Sequence, residues 1–342
     1  MSYNTNHKAS SNIKFYEIAE STVGTAMTEA VAFNRLNVEG VSVPINSLPY
    51  SVSAPRSGLF TTSTDQSRHD GLGKTHAIDV TYKATALSMA RACYSVLESA
   101  SATATLSTGY TFPQGTYQHG AGSATTSTIC LGDAAPGTTN DTMIYAGCIG
   151  TGMTLSADVG SDGGELKCAV NYMTGYAPAV GNYSFGGSLV EETAATYNLR
   201  DNVIASTTIL GQDLRISAFE LAINRPIEKI GGFKNAYALN ATAYDPDGYA
   251  MTGPWEVTGS VTCMLDTNVE TILAKFYDNT SDTIAVGSGT SGGDWLFTLA
   301  NCKAGEVTVD NGGPALMCTI PFTCNGLTNL TTPTAFVTFD FS

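Results

Sequence analysis

Positive charge is scarce in this chain. Its 342 residues carry 16 Lys and Arg against 30 Asp and Glu, a net charge of -14, and only 13% of residues are charged. Tight nucleic-acid binding depends on cations that release counterions from phosphates, so binding by that route is excluded, although contact without affinity is not. No apolar run approaches the roughly 18–20 residues that span a bilayer, and the opening MSYNTNHKASSNIK lacks the apolar stretch of a secretory signal. A soluble product made in a cytoplasm is expected. Cys-x-x-Cys is absent, and His7, His69, His76 and His119 are not spaced as metal ligands. No metal site or disulfide framework is therefore expected, and the eight cysteines read as free buried thiols. Helical periodicity is rare as well.

What is present is a chain of 43% hydrophobic residues, enough for two cores, with 35 Gly and many Ser and Thr between short alternating runs. That pattern predicts a mostly β protein of antiparallel strands. The clearest candidates are 36–43, 78–84, 145–156, 165–172, 216–223, 257–265, 295–299, 305–309, 315–322 and 335–341. Two helices are predicted. In the second, Thr267 and Glu270 read as a capping box, and Val269, Ile272, Leu273 and Phe276 form an apolar stripe.

Those four residues lie 180 positions after Met89, Ala92, Cys93 and Val96, the stripe of a helix expected from about Ser88 to Glu98. The same offset carries Val41 and Val43 onto Leu221 and Ile223. At 179 positions, Ile78, Val80 and Tyr82 meet Val257, Gly259 and Val261; at 154, Ala146-Gly147-Cys148 meets Ala300-Asn301-Cys302; at 150, Cys168 and Val170 meet Cys318 and Ile320. A one-residue slip would exchange the faces of a strand, so the preserved parity argues for duplication. The expected organisation is an N-terminal arm 1–30, a first copy 31–178, a linker 179–213, a second copy 214–327 and a C-terminal strand 328–342. The fall in offset from 180 to 154 implies about 26 extra residues in the first copy, assigned to a polar surface loop over 99–141. If Val309 faces Pro314 across the Asp310-Asn311-Gly312-Gly313 turn, Cys302 and Cys318 fall on opposite faces of their hairpin.

Two motif matches carry no chemistry. Gly287 to Gly292 fits G-x-G-x-x-G, and Gly289, Ser291 and Gly293 fit G-x-S-x-G, but both chemistries need a helix next and the following residues 294–299 read as a strand. Acidic groups at Asp158, Asp162 and Glu165, and at Asp245 and Asp247, lack the ligand spacing of a calcium loop and read as turns. No enzyme, no catalytic residue and no cofactor are expected.

The order of elements resembles the tail tube proteins of long-tailed, siphovirus-like bacteriophages. The resemblance rests on Ser217-Ala218-Phe219-Glu220-Leu221-Ala222-Ile223-Asn224, then a loop, Glu256-Val257-Thr258-Gly259-Ser260-Val261-Thr262, a short helix and a hairpin ending Ile320-Pro321-Phe322-Thr323. It also covers the first copy, including Tyr117-Gln118-His119 and Tyr145-Ala146-Gly147-Cys148, and spans roughly residues 15 to 327. It implies an all-β fold with one short helix per domain: two tandem antiparallel β-sandwich domains that contribute strands to an inner barrel. It also implies a structural virion protein that self-assembles into stacked rings, assembled in the host bacterial cytoplasm, through which genomic DNA passes without specific binding. Two domains in one chain favour a homotrimeric ring with pseudo-sixfold symmetry over a homohexamer. Other tail proteins at the tube ends are the expected partners, with no membrane.

Channel-face candidates are the polar positions opposite the core on paired strands: Asp79, Thr81 and Lys83 in the first copy, and Glu220, Thr258, Ser260 and Thr262 in the second. Their structural alternative is ordinary outer surface. The segments 46–73 and 226–253 and the arm are expected to reach a neighbouring ring. Competing readings are the inner tube of a contractile tail or injection apparatus, a secreted β-rich adhesin or surface-layer module, and a β-sandwich hydrolase. Charge is shared evenly, with 10 basic and 17 acidic residues in 1–213 and 6 and 13 in 214–342, so each part carries -7. An acidic lining is what a conduit for phosphate needs.

Overall fold

The computed structural model describes residues 13–28, 30–43, 50–53, 67–70, 75–97, 118–120, 125–133, 142–176, 178–181, 183, 185, 189–191, 196–199, 207–230, 246, 248–253, 255–287, 295–313, 315–324 and 337–341. The first part of the chain forms β1 (Ile13–Ala19), β2 (Asn34–Leu36), β3 (Val38–Ser42), β4 (Tyr50–Ser53), β5 (Ser67–Asp70), β6 (His76–Lys83) and α1 (Ala86–Leu97). It continues through β7 (Gln118–Gly120), β8 (Ser127–Asp133), β9 (Thr142–Asp158), β10 (Lys167–Thr174), β11 (Ala179–Gly181) and β12 (Val190–Glu191). The second part holds β13 (Ile216–Asn224), β14 (Ile227–Ile230), β15 (Gly248–Met251), β16 (Glu256–Met264), α2 (Thr267–Tyr277), β17 (Asp282–Gly287), β18 (Trp295–Ala304), β19 (Thr308–Asp310), β20 (Met317–Cys324) and β21 (Val337–Phe341). The fold is all-β with two short helices, as expected, and the sheet within one chain is open rather than closed into a barrel.

One strand arrangement occurs twice. In the first set β3, β6, β10 and β9 are neighbours in that order; in the second, β13, β16, β20 and β18 with β19 follow the same order. The registers agree with the offsets of 154 and 150 read from sequence. They align Val80 with Val261 and Val41 with Phe219, however, two residues away from the expected Gly259 and Leu221; a slip of two keeps each side chain on its face. Cys168 faces Leu155 and Cys318 faces Val309; Tyr172 faces Gly150 and Phe322 faces Ala304. β8 on β9 and β17 on β18 also correspond, each with an irregularity after its first pair, Ser127 with Cys148 and Asp282 with Cys302. The turning points match too: Gly147 and Asn301 both adopt left-handed backbone, with φ of 62° and 56°. Glycine and asparagine are residues that reach this region at low cost. At Gly147 a Cβ would sit 2.3 Å from the Tyr176 ring.

β9 holds the two sets together. Its first half pairs β8 and β11, and after the bend at Gly147 its second half pairs β10 on one edge and β13 on the other. Phe15, Ile129 and Tyr145 from one side of that bend share a core with α1 and with Val80, Leu155, Leu221 and Val261 from the other. A satellite core of Tyr16, Phe33, Cys130, Ile144 and Phe185 lies on the opposite face of β1 and β8, with Tyr16 and Phe185 stacked at 3.9 Å.

Several boundaries differ from the sequence reading. α1 starts at Ala86, where Thr85 and Ser88 bond each other reciprocally, and α2 is capped by Asp266, whose carboxylate accepts from Asn268 N and Val269 N; Thr267 is inside the helix. The 99–141 stretch is not all surface loop: Thr126 to Cys130 are buried, and β8 is a core strand with β7 ahead of it. The arm 1–30 contains β1, with Phe15, Tyr16 and Glu17 buried on both of its faces. In the linker 179–213, Phe185, Tyr197, Leu199, Ile209 and Leu210 are buried. Val309 faces Cys318, not Pro314; Cys302 faces Cys324 and Cys318 faces Cys263, so Cys302 and Cys318 are separated by register, both on the buried side. All eight thiols are free and buried. Burial pushes Cys93, Cys130 and Cys263 up, which keeps them protonated and unreactive.

α1 is enclosed, and a charge is enclosed with it. Arg91 and Glu17 are both fully buried and 3.0 Å apart. Arg91 also donates to Ser127 Oγ at 2.9 Å, Ser95 donates to Glu17 at 3.1 Å, and the Tyr172 hydroxyl donates to the other Glu17 oxygen at 3.3 Å. A buried pair is costly to break because the survivor keeps its desolvation penalty without its partner. Arg91→Met is expected to lower stability by about 3–5 kcal/mol in urea unfolding, and adding Glu17→Gln is expected to restore part of it. A loss below about 1 kcal/mol for the single variant contradicts that account.

Candidate functional site

Alternation puts every second residue of a strand on one face, and the registers align those residues into rows. Across β6, β10, β9, β13 and β16 one row reads Asp79, Asn171, Gly152, Asn224, Glu256. The next, extended to β20, reads Thr81, Ala169, Thr154, Ala222, Thr258, Thr323. A third reads Lys83, Lys167, Ser156, Glu220, Ser260, Pro321, and a fourth Asp158, Ala218, Thr262, Thr319. All seven sequence candidates, Asp79, Thr81, Lys83, Glu220, Thr258, Ser260 and Thr262, therefore share one face of one sheet. Asp79, Glu220 and Thr258 are exposed, and the other four are half-buried. Gly40 and Ser42 extend the face at β3.

β9, β10 and β20 contribute as much to this face as the strands that sequence reasoning chose. Their signal was readable: in Lys167-Cys168-Ala169-Val170-Asn171-Tyr172 the polar or small residues alternate with buried ones. What was missing was the neighbour of β9, since its pairing with β13 joins residues far apart in sequence.

The face is polar and short of free cations. Lys83 and Lys167 lie directly opposite each other, an unfavourable pairing that carboxylates offset. Lys83 Nζ is 3.0 Å from Glu165 and 3.8 Å from Glu39; Lys167 Nζ is 3.1 Å from Asp162 and 3.4 Å from Glu39. Asp162, with Glu39, raises the Lys167 ammonium above its ordinary pKa. Asn171 donates to Asp79 at 2.7 Å, Asn224 to Glu256 at 3.2 Å, and the Thr262 and Thr319 hydroxyls meet at 3.2 Å. The acidic group of the 158–165 turn is used locally: Asp158 accepts from Gly160 N at 2.7 Å and Ser161 Oγ at 3.1 Å, and these bonds lower its pKa. Asp245 and Asp247 lie outside the described residues, as does 288–294 of the glycine-rich loop; Trp295–Ala304 after it is strand, not helix.

On the core side, Gly259 keeps β13 and β16 close. A Cβ there would meet the Glu220 carbonyl and the Phe322 ring at 2.3 Å. Gly259→Ala is expected to cost about 1–3 kcal/mol in thermal or urea unfolding through overpacking, and an unchanged midpoint contradicts the contact.

Among the described residues no helix is long and apolar enough to cross a membrane. A comparison with curated proteins finds no match. A family model described as phage tail tube protein matches residues 10–324, the span that carries both strand sets and the whole polar face. The chain thus belongs to the phage tail tube protein family, structural components of the virion tail that assemble with copies of themselves.

Proposed function

We propose that the chain is one domain written twice, and that three copies close a ring of six such domains, the rings stacking into the hollow tube of a siphovirus-like tail through which genomic DNA is ejected. The polar face of the shared sheet lines the lumen, and assembly takes place in the host bacterial cytoplasm. Other tail proteins cap the ends.

The observation that carries this reading is the pairing of β9 with β13, by which the closing hairpin of the first set meets the first strand of the second. β19 and β3 are the counterparts of those strands at the two ends of the sheet, and among the described residues each pairs on one edge only. Leu155 in β9 is buried opposite Leu221, whereas its counterpart Val309 is 56% exposed. A second copy that repeats the β9–β13 junction between chains places Val43, directly after β3, against Val309 and removes both edges. Closure after three chains follows from two domains per chain; six domains per ring is what the family resemblance implies.

The electrostatics suit a conduit. A phosphate backbone must pass without being held, and a lining whose lysines are already neutralised adds little binding energy to overcome. The hairpins β4–β5 and β14–β15, in matching loops, are the elements that reach the next ring.

Electron microscopy of the concentrated protein is expected to show long hollow tubes with threefold averaging, and a strictly monomeric chain under all conditions overturns the reading. Cysteines at Val43 and Val309 are expected to cross-link into covalent species ending at three chains; a ladder to six supports the homohexamer instead. Thr81→Lys with Thr258→Lys is expected to give assembled tubes a salt-sensitive affinity for duplex DNA that the parent lacks, its salt slope growing by about 0.9 per added phosphate contact.

A further inference from the structure

A backbone seat that is filled in the first strand set is empty in the second. In the first, β6 and β10 end in Ala84 and Leu166, where Ala84 N donates to Leu166 O at 2.9 Å. An extended segment then docks on this end. Tyr197 N donates to Ala84 O at 2.9 Å, Leu166 N donates to Tyr197 O at 2.9 Å, and Leu199 N donates to Gly164 O at 2.6 Å. Glu165 and Asn198 form an antiparallel bridge within it. Leu166, Tyr197 and Leu199 are all buried as a result.

β16 and β20 end the same way, with Leu265 N donating to Leu316 O at 2.9 Å. Here the likeness stops. Among the described residues nothing bonds Leu316 N or Leu265 O, the groups that correspond to those held by Tyr197. Leu316 is 49% exposed where Leu166 is fully buried, and Met264 and Val309 beside it are exposed too. An apolar cluster with an unused donor and acceptor at one strand end matches an added peptide segment better than it matches open solvent.

We infer that this seat takes residues 1–12 of a second copy of the chain, an interchain contact that rests on the ring reading above. The segment that fills the first seat is also the lead-in to β13, the strand that pairs with β9. The strand proposed to pair with β19 is β3 of another copy, so the corresponding lead-in is that copy's N-terminal segment. Spacing agrees. Thr208 bridges Ala285 of β17 as Tyr16 pairs Cys130 of β8, and Tyr197 to Leu199 lie eleven to nine residues before Thr208. The same interval before Tyr16 falls at Thr5 to His7, within the stretch named.

The test places a photo-crosslinking benzoylphenylalanine at position 316 of the full chain and irradiates it in assembled particles made from mixed isotopically labelled and unlabelled protein. The expected product joins position 316 to residues 1–12 of a different chain, and is absent from dilute monomer. Particles whose position 316 links only within its own chain, or to any other segment, overturn the seat and leave the ring reading standing. A chain that never assembles overturns both. Leu316→Asp supplies a second readout: the monomer is expected to unfold at an unchanged midpoint while the concentration needed for assembly rises by at least about tenfold. Unchanged assembly by that variant counts against the seat.

Discussion

Continuous hydrogen bonding across β9 is the constraint on which the rest of the structure depends. An interior strand must satisfy donors and acceptors on both edges, and β9 does so by pairing β10 on one side and β13 on the other. The same strand turns at Gly147 to enter a second set of pairings with β8 and β11. That single turn brings Phe15 and Ile129 over the sheet that holds Val80 and Leu155, and encloses α1 between them. Without the β9–β13 junction the polar rows would be two narrow strips instead of one six-stranded face.

The two strand sets are alike in topology and unlike in cover. All but Ala86 and Tyr94 of α1 are buried, and the helix is held by Glu17 and Arg91 beneath β1 and β8. α2 buries only Val269 and Ile272, and leaves Phe276 and Tyr277 exposed at 37% and 79%. Lys275 answers this locally by pairing Asp282 and the Leu210 carbonyl, which holds the Asp282 carboxyl below its usual range. The same asymmetry recurs at Val309 and Leu316, whose counterparts Leu155 and Leu166 are fully buried. Exposed apolar positions of this kind, clustered at one end of a sheet, mark contact surfaces more often than isolated apolar residues do.

Most of the polar face was legible before any fold was known, because a pleated strand alternates and the faces of β6 and β16 could be sorted residue by residue. The helices were legible from their apolar stripes, with caps misplaced by a residue or two because Thr85 and Asp266 precede the periodic stretch. β8 was missed for a physical reason: Ser127-Thr128-Ile129-Cys130-Leu131 is polar at its start, yet buried, since Ser127 accepts from Arg91 and Thr128 donates to the half-buried Glu20 at 2.9 Å. β1 was hidden likewise, because Glu17 in the middle of its run reads as exposed until its partners Arg91, Ser95 and Tyr172 are known.

By itself the sequence determined the β class, the two helices, the recurrence of one strand pattern with its offsets in the closing hairpin, and which residues of each strand share a face. These are local properties, set by side-chain alternation and spacing along the chain. Tertiary structure alone decided that β9 and β13 are neighbours, that the N-terminal stretch supplies a core strand, and that, among the described residues, a buried ion pair closes the first set and not the second. Those outcomes turn on which distant edges meet, and hydrogen bonding between backbones carries no residue-specific mark that could be read in advance.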